Sequence, residues 1–150
     1  MLVRAPQSDD IPSMIGLAKM MHGESVYRDF DFDYVKVEAI GHQVLFDPSY
    51  FGVICEDKDK IIGLMICYVS AYYFGNDLLA QDMILYIDPS RRGGVGASRM
   101  IVEYVEWAQS KDCKEVLLGQ TAGIDPEVVD KLYTHAGFKL IGQLYKRRLV

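Results

Sequence analysis

The stretch YIDPSRRGGVGAS, residues 86–98, decides how this chain of 150 residues is read. An apolar run ends at Ile87, Asp88 and Pro89 turn the chain, and two arginines and three glycines lead into a run in which Met100, Ile101, Tyr104, Val105 and Ala108 fall on one helical face. Strand, turn and helix therefore follow one another. The first N–H groups of a helix lack internal partners and carry partial positive charge, so they attract anions. Glycine leaves that backbone uncovered, and Arg91 and Arg92 add charge. The stretch reads as a phosphate cradle, set against the plainer reading of an ordinary strand-to-helix turn.

Upstream, LLAQDMILYI (residues 78–87) is a strand, and YFGVICED (50–57) and KIIGLMICYV (60–69) are two more, joined by the polar turn DKDK of an antiparallel hairpin. Before them, LVRA (2–5) suits a short strand. Ser8 or Asp9 caps a helix with Pro12 in its first turn and Ile11, Met14, Ile15, Ala18 and Met21 on one face. A second helix begins near Tyr34 and ends before Pro48. Downstream, KEVLLG (114–119) is a short strand that completes a β-α-β crossover. Asp125 and Pro126 open a helix that buries Val129, Leu132, Tyr133 and Ala136 and closes at Gly137. FKLIGQLYKRRL (138–149) reads as the last strand. The order βααβββαβαβ implies an α+β sheet of mixed direction in one domain.

Composition narrows the function. Half the residues are hydrophobic and 25% are charged, as in a globular protein. The apolar run Ile61–Phe74 is too short to span a bilayer and the N-terminus lacks a signal-peptide core, so no membrane partner and a cytoplasmic location are expected. A net charge of −5 and a pI near 5.1 argue against nucleic acid. Cys55, Cys67 and Cys113 have no CxxC spacing, and His22, His42 and His135 are isolated, so no metal site is expected. A P-loop needs a lysine, and none lies between Lys60 and Lys111; a dinucleotide fingerprint from Gly94 would need a small residue where Arg99 stands.

What remains is RxxGxG, Arg91, Gly94 and Gly96, after a strand ending in LYIDP, and it resembles the loop of the GNAT superfamily of N-acetyltransferases. LYTHAGF, residues 132–138, resembles that family's C-terminal marker, and the element order matches over nearly the whole chain. The resemblance implies a three-layer α/β/α fold around a mixed, mostly antiparallel sheet of six to seven strands with about four helices. It also implies acetyl-CoA as cosubstrate, with no metal, and direct attack of an amine on the thioester. The main chain of Leu85 and Ile87 would bond the pantetheine arm. Arg91, Arg92, Gly93, Gly94, Val95, Gly96 and Ala97 would hold the pyrophosphate.

Tyr133 matches the position of a tyrosine that protonates the departing thiolate, a task suited to a phenol of ordinary pKa about 10; a core tyrosine is the plainer alternative. An ammonium must lose a proton before it attacks. Asp82, on the strand before the loop, is the candidate base, directly or through water, with strand alternation setting it on the face of Ile84 and Tyr86. YRDFDFDY (27–34) interleaves Asp29, Asp31 and Asp33 with aromatic rings, which suits a cationic amine acceptor or, more plainly, the capping of the second helix. An exposed edge at the last strand would suit a homodimer. A non-catalytic acyl-CoA sensor with the same fold stays open beside the enzyme, as does a nucleotide-binding regulatory domain.

Overall fold

The computed structural model describes all 150 residues. Strand β1 (Leu2–Arg4) is followed by helices α1 (Ile11–Glu24) and α2 (Tyr34–Phe46), strands β2 (Tyr50–Asp57), β3 (Lys60–Ala71) and β4 (Leu78–Ile87), helix α3 (Gly96–Ser110), strand β5 (Glu115–Leu117) and helix α4 (Pro126–His135). The sheet runs β1-β2-β3-β4-β5. Its first three pairings are antiparallel, and β4 and β5 are parallel, as a crossover through α3 requires. No helix is long and apolar enough to cross a membrane.

Period-2 alternation in β2 and β3 sends successive side chains to opposite faces. Val53, Cys55, Met65 and Cys67 pack with Met100, Ile101 and Tyr104 of α3, while Ile54, Leu64 and Ile66 pack with Ile11, Met14 and Leu17 of α1. The turn between them places Lys58 and Asp59 at φ 50° and 62°, the left-handed pair that matches the twist of a hairpin.

At the N-terminal end Arg4 joins the layers. Its guanidinium donates to both Asp10 oxygens at 2.8 and 3.0 Å and to Glu56 of β2 at 2.8 Å, and Asp10 also accepts the Gln7 amide at 2.7 Å. Asp10 is buried, and Arg4 holds its carboxyl below the ordinary carboxylate range.

The sheet has five strands, not six to seven. The expected last strand, 138–149, forms no ladder, and past Phe138 it makes no backbone hydrogen bond to the rest of the chain. The strand that precedes it in the sheet, β5, is three residues long and offers little template. Its cations are drawn elsewhere: Lys146 lies over the Tyr27 ring and Arg148 donates to Asp29 at 3.1 Å.

A depressed carboxyl pKa stabilises the fold above the unfolded-state value and ceases to do so as pH falls towards the folded one. Asp10→Asn is therefore expected to lower unfolding free energy at pH 7 by about 1–3 kcal/mol. Chemical denaturation should show the difference from wild type shrinking below about pH 4, the ordinary aspartate range.

Candidate functional site

β4 departs from ideal geometry twice, and both departures build the site. Along β3 it loses register: Ile66 pairs with Ile84 and Cys67 with Asp82, which leaves Met83 as a bulge. Along β5 it pairs only at Leu79, Ala80 and Gln81. Beyond Gln81 the two strands part, and a cavity of about 330 Å³ opens between β4, the glycine loop, residues 119–125 and α4.

The parting frees backbone groups. The Asp88 amide donates to Ile62 of β3 at 2.8 Å, so by alternation Tyr86 also faces β3 while Leu85 and Ile87 turn their main chain to the opening. The Ile87 carbonyl is partly engaged there by the Arg92 Nε–H at 3.0 Å.

At the loop, the amides from Arg92 to Ser98 donate to no group of the protein. Gly93 sits at φ +90°, a conformation glycine adopts without strain. Gly96 packs so closely that an added Cβ would stand 2.8 Å from Cys55 Sγ. The first turn of α3 is thus presented bare to the cavity, and Gly93, Gly94, Gly96 and Ala97 line it. Val95, exposed at 51%, is not among the lining residues.

The two arginines are less free than the sequence suggests. Arg91 is paired with Asp57. Arg92 meets Glu24 of α1 through two bonds of 2.7 and 2.8 Å, and Asp125 stands 3.5 Å from it. Glu24 accepts the Tyr86 hydroxyl at 2.7 Å as well. Arg92 holds the Glu24 carboxyl below its usual range. Both cations line the cavity with much of their charge offset, so the unpartnered amides form the less compromised anion site.

The bulge at Met83 also corrects one expectation. Asp82 pairs with Cys67 and shares its face, towards α3 and α4, opposite Ile84. Its Oδ1 accepts the Gly119 amide at 2.7 Å, and burial pushes its carboxyl above the ordinary range. The Tyr133 hydroxyl donates to the Gly119 carbonyl at 2.8 Å. Burial raises the Tyr133 pKa, with the nearby Asp82 charge adding to it, so the phenol stays protonated. Asp82 and Tyr133 thus hold the two sides of one residue, and both line the cavity. Just before it, Tyr104 of α3, fully buried, donates to the Leu117 carbonyl at 3.0 Å.

Asp29, Asp31 and Asp33 line no part of this cavity. Asp33 caps α2 by accepting the Lys36 amide at 3.1 Å, and Asp29 holds Arg148. Glu24, Tyr104, Gly119 and the Met83 bulge escaped the sequence reading, since each matters through a partner 13 or more positions away or through strand register.

No protein-family model matches the chain, and no curated protein matches it. Solved structures do match in shape. AAC(6')-Iy in complex with the bisubstrate analogue CoA-S-monomethyl-acetylneamine superposes with a TM-score of 0.80 at 16% identity, over 99% of this chain and 97% of that one. A predicted acetyltransferase from Clostridium acetobutylicum with acetyl-CoA gives 0.75 at 14%, over 98% and 95%. A transcriptional regulator from Bacillus halodurans gives 0.78 at 16%, over 99% of both chains.

Glu24→Ala would leave the Tyr86 hydroxyl and Arg92 without their shared acceptor. The expected loss is about 1 kcal/mol of stability, and faster hydrogen exchange at Arg91 and Arg99, whose amides are bonded on either side of the loop, would check that the loop loosens with it.

Proposed function

We propose that this chain, which has the fold of the GNAT acetyltransferases, is an acetyl-CoA-dependent N-acetyltransferase acting on a primary amine. The observation that carries the reading is the coincidence of three features in one cavity: strand backbone turned to the opening at Leu85 and Ile87, unpartnered amides at the start of α3, and a protonated phenol at Tyr133. A molecule with a diphosphate and an amide-bearing arm fits the first two together. Two of the structures similar in fold hold coenzyme A derivatives, which supports that choice of ligand, and the analogue in one carries an amine-derived acceptor part.

In the proposed reaction the pyrophosphate rests on the amides of residues 92–97, and the pantetheine arm extends β4 along the edge that β5 leaves. The thioester then lies beside the Met83 bulge. The neutral amine attacks its carbonyl carbon, the carbon–sulfur bond breaks, the thiolate takes the Tyr133 proton, and the proton that nitrogen sheds as the amide forms returns through water to the Tyr133 phenolate. The ammonium's proton leaves through water to Asp82, whose Oδ2 has no protein partner. Its elevated pKa makes it a stronger base than an ordinary aspartate. The acids at 29, 31 and 33 lie outside the cavity and serve at most to attract a cation over distance.

A non-catalytic acyl-CoA-binding module is the second reading, because Asp82 and Tyr133 also do a purely structural job at Gly119. Turnover separates the two. Tyr133→Phe is expected to lower kcat roughly a hundredfold with the acetyl-CoA Kd unchanged, measured by thiol release and by titration. If kcat and Kd both keep their wild-type values, Tyr133 is structural; a wild-type protein that binds acetyl-CoA and releases no thiol with any primary amine is the sensor.

For Asp82, whose pKa is raised, wild-type kcat/KM should climb with pH along a limb lying above the ordinary carboxylate range of about 4. Asp82→Asn should lower kcat and abolish that limb. A pH profile unchanged in the variant would remove Asp82 from proton transfer.

A further inference from the structure

Tyr104 of α3 is fully buried, with the Phe51 ring of β2 at 6.0 Å between centres. A phenylalanine would fill the same place, and a buried hydroxyl is costly unless it is bonded. The hydroxyl is thus the part of this side chain that packing does not explain. It has one partner, the Leu117 carbonyl, to which it donates at 3.0 Å. Burial raises the pKa of this phenol, so it remains a donor at neutral pH. Neither Tyr104 nor Leu117 lines the site cavity, and the bond lies behind it.

The place of that bond in the fold gives it a use. Leu117 is the last residue of β5 paired with β4, opposite Gln81. Two residues on, at the cavity wall, Gly119 accepts the Tyr133 hydroxyl at 2.8 Å. The chain has left the ladder there, and the bond at Leu117 is the hydrogen bond that ties this stretch to α3. Gly96 and the bare amides before it open the same helix, a little over two turns and about 12 Å from Tyr104 along the axis. One helix therefore carries both the anion cradle and the tether of the strand end.

We propose that Tyr104 is a positioning residue: through Leu117 and Gly119, its hydroxyl fixes where the Tyr133 oxygen stands relative to the sulfur of a cosubstrate seated on the start of α3. The inference rests on the acetyltransferase reading above. Turnover is sensitive to a misplacement of about 1 Å at the reacting atoms, whereas binding to the cradle amides and to the β4 backbone does not pass through Leu117. The bond acts on turnover and spares affinity. A hydroxyl that served the core alone would affect stability and neither of these.

The test measures kcat by thiol release, with a primary amine that the wild type acetylates, and acetyl-CoA affinity by titration, for the full chain, Tyr104→Phe, Tyr133→Phe and the double variant. Tyr104→Phe should lower kcat about tenfold and keep the acetyl-CoA Kd within about twofold of wild type. With Tyr133→Phe already in place, the same change should cost less than about twofold in kcat, because the group it positions is gone. p-Aminophenylalanine at position 104 returns a weaker donor to the same ring and should limit the loss to about threefold; it takes the place of Tyr104→Phe in the comparison where that variant fails to fold. Wild-type kcat in the folded variant at position 104, or a loss of equal size with and without the Tyr133 hydroxyl, would overturn the positioning role while wild-type turnover stood. Absence of acetyl-CoA binding or of turnover in the wild type would overturn the acetyltransferase reading, and the positioning role with it.

Discussion

The structure turns on the place where β4 and β5 cease to pair. A parallel ladder normally continues as long as its strands do, since unpaired backbone groups are costly when buried. Here it stops after Gln81, and side chains replace it. Asp82 accepts the Gly119 amide, Tyr133 donates to the Gly119 carbonyl, and Tyr104 donates to the carbonyl of Leu117. These bonds satisfy the β5 side and hold it at a side chain's length from β4. The β4 side is left with its own polar groups facing an open cavity, and a ligand with an amide-bearing arm can take the missing strand's place.

Electrostatics follow the same division between backbone and side chain. Arg91 and Arg92, which dominate the loop in the sequence, are tied to Asp57 and Glu24. The helix-start amides between Arg92 and Ser98 have no such competitor. Anion binding on them draws on the fixed dipoles of α3, and in a chain of net charge −5 this keeps an attractive spot inside an acidic surface. The paired arginines act first as braces. Arg92 joins α1 to the loop and to the end of β4, and so fixes where the cradle stands against the rest of the cavity.

Much of this was legible in the letters because it is local. The cradle needs only a strand end, glycines and a helix start, and residues 86–98 supply all three in order. The hairpin turn, the helix stripes and the crossover are periodic signals of the same short range. Asp82 shows where local reading stops. Alternation counts two residues per repeat, and the single bulge at Met83 shifts the count, so the carboxylate lies on the opposite face. Asp33 and Asp29 are engaged by the cap at Lys36 and by Arg148, partners that the letters do not show. The run 138–149 has the composition of a strand, but a strand also needs an edge, and β5 is too short to provide one.

The most direct measurement is amide hydrogen exchange of the protein with and without saturating acetyl-CoA, read residue by residue. Strong added protection at residues 92–98 and at Leu85 and Ile87, with little change along β2, would bear out a cosubstrate lying in the gap between β4 and β5 on the helix-start amides. Unchanged exchange at these positions, or protection confined to another face of the protein, would contradict it.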